Sequence, residues 1–277
     1  AVMKMNFKGK KGDVVHIPAP TRGSASLKAA ETAVTLIAAT ETEVQVSINK
    51  HYEYSRLIED IVEAQALNSL RNFYTSDAGY SLAKQVDTDL VQLGRSTNGG
   101  AGTNAYATGA FIGGDGTSAY VAASNNESAL TDAAIRRTIQ RLDDNDTPMD
   151  GRFFIIPPSS RNTLMGLSRY TEQAFVGNGN AIRTGEIGNL YGIPVFTSSN
   201  ADTGAGTSGT DRICLMGHKD AMVLVEQIGI RSQTQYKQDY LATLFTSDTL
   251  YGVKALRAAA TTGAALSSSA FALAVPA

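Results

Sequence analysis

The chain has 277 residues, enough to bury a sizeable core as one large domain or two closely packed subdomains. Its 24 Lys and Arg against 26 Asp and Glu leave a formal net charge of -2, too even for a protein that grips nucleic acid by releasing counterions. A single cysteine, Cys214, excludes an intrachain disulfide framework, and its flanks Arg212-Ile213-Cys214-Leu215-Met216 read as an apolar strand with a small core thiol.

From the N-terminus, a basic turn-like stretch Lys8-Gly9-Lys10-Lys11-Gly12-Asp13 leads into Val14-Val15-His16-Ile17-Pro18, a β-branched run whose proline marks an edge strand. Thr42 to Ile48 alternates polar and apolar residues at period two. The two runs predict a long two-stranded hairpin with a polar, Gly/Ser-containing tip. Such a ribbon is marginal alone in water, so the expectation is that it lies on a neighbouring subunit.

Leu57, Ile58, Ile61 and Val62 recur at helical spacing, with Glu59, Asp60 and Glu63 on the opposite face. After Asn68-Ser69 a second series, Tyr74, Ala78, Leu82, Val86, Leu90 and Leu93, predicts one long one-sided helix over Ser69 to Leu93 that stops at Gly94. Residues 94 to 124 read as loop with a short strand at Ala110-Phe111-Ile112. Ser124-Asn125-Asn126-Glu127 has the capping-box spacing ahead of a helix through Leu130, Ala134, Ile135, Ile139 and Leu142. Arg152 to Pro158 reads as a buried strand, followed by a short helix capped by Ser159 and running through Arg161, Leu164 and Leu167. Gly-rich loops are expected at 177 to 180 and 200 to 209. Three strands, Met222 to Ile230, Gln233 to Phe245 and Leu250 to Leu256, precede a Ser/Ala tail.

Chemical motifs fail on context. Gly204-Ala205-Gly206-Thr207-Ser208-Gly209 has the dinucleotide-loop spacing, yet Asp211 leads into a strand where a helix N-terminus is required. The acidic run Asp143-Asp144-Asn145-Asp146 lacks a calcium loop's ligands, because the fifth and twelfth positions from Asp144 are Pro148 and Ile155. His16, His51 and His218 have no metal-ligand spacing, and no nucleophile elbow, phosphate loop or zinc helix is present. No enzyme, cofactor or metal is expected. No run reaches the roughly 18 apolar residues of a membrane helix and the cationic start lacks a signal peptide's apolar core, so the expectation is a soluble chain made in a cytoplasm.

Three segments carry a likeness to a family: Lys11-Gly12-Asp13-Val14-Val15-His16-Ile17-Pro18; Gly188-Asn189-Leu190-Tyr191-Gly192-Ile193-Pro194-Val195 with Ser199-Asn200 after it; and Gly252-Val253-Lys254-Ala255-Leu256-Arg257. In this order, over nearly the whole chain, they resemble the major capsid protein of tailed bacteriophages. The resemblance implies an α+β Hong Kong 97 capsid fold. It implies a residual N-terminal arm at 1–12 and an extended-loop β-hairpin at 13–50. A peripheral domain with a long spine helix would span 51–126 and 222–257, an axial domain 127–221 and a C-terminal tail 258–277. Family members carry an arm ahead of the extended loop, so residues upstream of Ala1 are expected to have been removed in maturation or to be missing.

The implied function is self-assembly, through pentamers and hexamers, into an icosahedral shell around double-stranded DNA, without sequence-specific binding. Scaffold, portal and decoration proteins are the further partners implied. The location would be the virion capsid, assembled in the bacterial host cytoplasm. Interface residues would be Val14, Ile17, Lys28, Val44 and Val46 on the extended loop and Glu59 and Glu63 beside the spine. Some relatives bond a loop Lys to an Asn of a neighbour. Lys28 is placed for this, but Tyr251 to Arg257 contains no Asn, so Lys28 reads as a solvated side chain. Rivals are an encapsulin-type bacterial compartment, which shares the fold, and a tail or adhesion module.

Overall fold

The computed structural model describes residues 2–20, 25–34, 36, 41–65, 70–96, 111–113, 129–167, 188–201, 203–205, 210–256 and 270–276. The first sheet is a four-stranded ribbon in the order β1 (Met3–Asn6), β11 (Met222–Lys237), β12 (Ala242–Ala255), β4 (Lys50–Glu59). Strands β4, β12 and β11 are antiparallel, whereas β1 runs parallel to β11. Within the stretch 1–12 expected as a residual arm, Met3–Asn6 is a strand of this sheet.

Two sequence expectations are corrected in this ribbon. Leu57 and Ile58 lie on strand β4, not on a helix; only Asp60–Gln65 is helical (α1). Ten cross-strand pairs with β12 outweigh the local helical spacing here, because tertiary pairing overrides short-range propensity. The expected strand from Gln233 to Phe245 instead spans a reversal: β11 ends at Lys237, a short 3-10 turn follows at Gln238–Tyr240, and Leu241 takes a left-handed φ of 44° before β12. Neither Gly nor Pro marks that turn, and Asp239 is its one turn-forming residue, too weak a signal to interrupt the expected strand.

The long helix α2 (Leu70–Ser96) has 27 residues, about 40 Å at 1.5 Å per residue. It packs along one face of the ribbon, where Ala78 is buried with Ile58 and Phe245, and Tyr54 and Tyr74 close over them. Gly94, the expected stop, is instead a close approach: an added Cβ would run into Leu215 of the second sheet.

That second sheet has the order β5 (Phe111–Gly113), β13 (Ala270–Pro276), β10 (Thr210–His218), β6 (Arg152–Ile156), β8 (Ile193–Thr197), β7 (Asn189–Leu190), with β9 (Thr203–Ala205) also on β10. Alternation sorts its side chains onto two faces. Phe154, Ile156, Cys214 and Met216 face α3 (Asp132–Asp144) and α4 (Pro158–Met165) in a core with Ile135, Leu142, Leu164 and Leu273. Phe153 and Leu215 face the other way, toward Leu93 of α2 and Met222. This two-sided burial is why residues 153–156 read as a continuous apolar run.

The helix caps differ from the sequence reading. α3 is capped by Thr131, whose hydroxyl accepts from the Ala134 amide at 3.2 Å, so the capping box at Ser124 is not the helix start; residues 124–127 lie outside those described. α4 begins with Pro158 in its first turn and has no side-chain cap, and Ser159 is inside it. The expected C-terminal tail ends in β13, a strand within the second sheet, with Leu273 fully buried. The Gly-rich stretch at 177–180 lies outside the described residues. Truncating Phe154 to Ala should cost about 3–5 kcal/mol, read as a lowered urea midpoint at constant slope.

Candidate subunit interface

Strands β2 (Val14–Pro20) and β3 (Glu41–Ser47) pair antiparallel from Val14↔Ser47 to Pro20↔Glu41, forming the expected hairpin arm. Its base is anchored in its own chain. Val46 and Ile48 are buried with Val223 and Val225 on the ribbon face opposite α2, and Val15, Ile17, Met5 and Phe7 pack around them. The Ile48 amide donates to the Asp13 carbonyl at 2.7 Å, and Gln227 Nε2 donates to the carbonyls of Lys10 and Gly12, both at 3.0 Å. The expectation that this ribbon has only a neighbour to lie on is thus corrected for its base. Val46 is a core residue at 0 % exposure.

The arm crosses β12 at Gly252, where an added Cβ would collide with the Ser47 carbonyl oxygen and sit 3.1 Å from Ile48 Cα. On the other face of β12, Tyr251 donates its hydroxyl to Asp89 of α2 at 2.7 Å, and Lys50 Nζ lies 3.1 Å from the same carboxylate oxygen. Gln85 Nε2 donates to the second oxygen at 3.3 Å, and Tyr52 stacks on Tyr251. Asp89 and Tyr251 are both buried. Burial first, and then the hydrogen bond to Asp89, push the Tyr251 phenol far above its ordinary range, so it stays a donor. Sequence reasoning missed Asp89, although it sits seven residues beyond Leu82 on the stripe that predicted the helix.

Outside its base, the described residues of the arm are open or half-buried. Val14 and Val44 are half-buried, as is Ile17, whose inner side packs on the base; His16 and Glu43 pair across the strands at 2.9 Å and are exposed. Hydrogen bonds from Gln45 and then His16 hold the Glu43 carboxyl below the usual range. At the tip, Leu27, Val34 and Leu36 are exposed, Leu27 completely, and so is Lys28. Thr32 donates to the Ala29 carbonyl at 2.8 Å, a local turn near Glu31, whose φ is 63°.

Glu59 ends β4 opposite Ala242 and is exposed, so it does not share a helix face with Glu63; the Glu63 side chain lies outside the described residues. Leu57, Ile61 and Val62 are exposed as well. They share one end of the ribbon with the turn at Tyr240 and Leu241, tied by the Asp60 amide donating to the Leu241 carbonyl and by Tyr236 donating to Asp60.

The histidines stand apart. His16 is on the arm, His51 meets Asp248 at 3.2 Å, and His218 Nε2 donates to the Asp150 carbonyl while its Nδ1 accepts the Asp220 amide. Among the described residues no group of His, Cys, Asp or Glu is arranged to hold a metal. Asp143 is taken up by Arg152 at 2.7 Å, and Gly204 and Ala205 lie in strand β9, not at a helix N-terminus; residues 206–209 lie outside the described set. Burial pushes the Cys214 thiol up to about 12, which leaves it inert. No described helix is long and apolar enough to cross a membrane.

No family model matches the chain, and no curated protein matches it. Solved structures do. A chain from the capsid structure of Cyanophage P-SCSP1u is similar at a TM-score of 0.71 and 20% identity, over 99% of this chain and 86% of that one. A chain of Mycobacterium phage Che8 is similar at 0.68 and 21%, over 96% and 85%. One from the capsid of Ralstonia phage GP4 is similar at 0.70 and 14%, over 100% and 87%. At these identities the likeness is one of fold. The chain has the fold of phage capsid chains, the Hong Kong 97 fold that its sequence resembles.

Two outcomes follow from the anchorage. Gly252→Ala should destabilise the subunit by about 1–3 kcal/mol, because backbone has to move to admit the methyl group; urea unfolding measures it. Arg231 donates to both oxygens of Asp248, at 2.7 and 2.9 Å. This pairing lowers the Asp248 pKa against an opposing push from burial, with His51 adding to the lowering. The stability gained is present above the unfolded carboxyl pKa of about 3.9 and lost as pH falls through the lower folded value. Asp248→Asn should therefore cost about 1 kcal/mol at neutral pH and progressively less as pH falls below the unfolded carboxyl pKa and through the lower folded one, measured by urea midpoints across an acid series.

Proposed function

We propose that this chain is a major capsid protein that self-assembles into the icosahedral shell enclosing the genome of a tailed bacteriophage. The observation that carries the reading is the arm: a hairpin locked into its own subunit at Val46 and Ile48, whose tip holds Leu27, Val34 and Leu36 out in water. A chain does not gain by holding such side chains exposed on a projecting ribbon unless another surface covers them. The fold shared with capsid chains supplies the kind of surface, a further copy of the chain.

In this reading residues 13–50 are the extended loop, with Val14, Ile17, Val44 and Lys28 meeting the adjacent subunit and Glu59 and Glu63 near the contact. The ribbon with α2 forms the peripheral domain, roughly 51–126 and 222–257. The second sheet with α3 and α4 forms the axial domain around 127–221, extended by β5 and β13. The exposed apolar end at Ile61, Val62, Tyr240 and Leu241 is a second surface for contact between copies. Pentamers and hexamers would repeat these modest contacts until the shell closes. A formal net charge of -2 suits a wall that encloses duplex DNA without binding it tightly. The role is structural and not enzymatic. The place is the virion capsid, assembled in the host cytoplasm with whatever scaffold, portal or decoration proteins the particle uses.

Electron microscopy and sedimentation of the purified chain test this. Closed particles of uniform diameter, or pentamers and hexamers that close into them, are expected; a stable monomer under all assembly conditions would overturn the reading. Val44→Asp, at a half-buried arm position, should leave the subunit folded by circular dichroism and abolish closure. Shells formed by that variant would remove the arm from the mechanism.

A further inference from the structure

The loop 8–13, which links β1 to the arm, is held by more structure than a surface turn requires. Strand β11 is irregular beside it: Glu226 pairs with Tyr251 and Ile228 with Leu250, so Gln227 is an extra residue with no partner on β12. A bulge of this kind re-aims a side chain. Here it turns Gln227 onto the loop, where Nε2 donates to the carbonyls of both Lys10 and Gly12 at 3.0 Å. Gly9 and Gly12 take φ of 77° and 131°, a region that side chains avoid, and the Lys10 amide donates to the Phe7 carbonyl at 3.2 Å.

The lysines of the loop and of β1 are positioned as well. Glu226 meets Lys4 at 2.6 Å and Lys8 at 3.4 Å. Gly229 leaves room for the second pair, because an added Cβ would lie 2.7 Å from both Lys8 Nζ and Glu226 Oε1. Lys10 Nζ stands 5.6 Å from the ring centroid of Phe7, which itself packs on the buried Val46 and Ile48. Lys10 and Lys11 are exposed, and among the described residues neither is in an ion pair. Lysines at 4, 8, 10 and 11 stand against two acids, Asp13 and Glu226, so a chain that is close to neutral holds a fixed positive spot here.

We propose that the loop 8–13 is a contact for the phosphate backbone of duplex DNA, with Lys10 and Lys11 as the contacting groups and Gln227 as the positioning residue that holds them. The choice of duplex DNA as the polyanion rests on the shell reading, in which it is what the shell encloses. Two lysines displace few counterions, so one copy binds weakly and without regard to sequence. A closed shell repeats the contact in every copy, which draws DNA to the wall without gripping it at any one point.

Fluorescence anisotropy of a labelled 30-base-pair duplex tests this, titrated with the full, unassembled chain at about 20 mM salt and then across a salt series. Binding should weaken with salt at a log–log slope of about −2, as two phosphate contacts require. The double variant Lys10→Glu, Lys11→Glu should bind at least tenfold more weakly, while Lys84→Glu, at an exposed position of α2, should bind as the native chain does. Gln227→Ala keeps every charge and should lose roughly threefold in affinity at an unchanged slope. Equal losses in Lys84→Glu and the double variant, or native affinity in the double variant, would overturn the contact, and native affinity in Gln227→Ala would overturn the positioning role. Electron microscopy should find particle closure unaffected in the double variant; lost closure would make the loop a contact between copies and overturn the DNA assignment. Native chains that close but bind no duplex would overturn this contact alone, whereas chains that bind duplex but never close would overturn the shell reading alone.

Discussion

Two adjacent residues of β12 set the geometry on which the subunit depends. In a strand, neighbours point to opposite faces. Tyr251 reaches down to the buried Asp89 of α2, and Gly252 leaves the other face bare so that the arm can cross at Ser47 and Ile48. One strand thus carries the long helix on one side and the root of the arm on the other. Lys50, the first residue of β4 after the arm, returns to Asp89 and ties both attachments to one carboxylate. A buried charge held this way is costly to leave unpaired, which fixes the register of α2 against the ribbon more firmly than apolar contact alone.

This arrangement divides the arm into a rigid root and an open tip. The root uses the same apolar residues that would have been spent on a neighbour had the ribbon been free along its length. Val46 is therefore a stability position, while Val44, two residues earlier and less buried, is the place to separate assembly from folding. The tip keeps Leu27, Val34 and Leu36 in water, and their burial is the free energy that contact between copies can still gain.

Much of this was legible in the sequence, for particular reasons. The arm's alternation and the α2 stripe are long, regular patterns, and both elements stand where they were expected. Short patterns failed. Four apolar residues at 57, 58, 61 and 62 resemble a helix turn, but β12 pairs with the first two as strand. The turn at Gln238–Leu241 lacks Gly and Pro, and the capping spacing at Ser124 is a common pattern that Thr131 preempts. Asp89 was invisible because a carboxylate on an apolar stripe gains its meaning from Tyr251, 162 residues away in sequence. The strand at 270–276 was hidden by the Ser/Ala composition before it. For the interface, sequence alternation located the arm but carried no information on which of its apolar residues its own core already claims.

The central claim is that the arm's tip is open in the free subunit and covered by another copy in the assembly. The sole native thiol, Cys214, is buried with its pKa pushed up to about 12, so a cysteine introduced as Leu36→Cys can be labelled selectively with an environment-sensitive fluorophore. Iodide quenching of that label should be unhindered in the dissociated subunit and strongly reduced in the closed particle. Equal quenching in the two states, or a label already shielded in the subunit alone, would contradict the account.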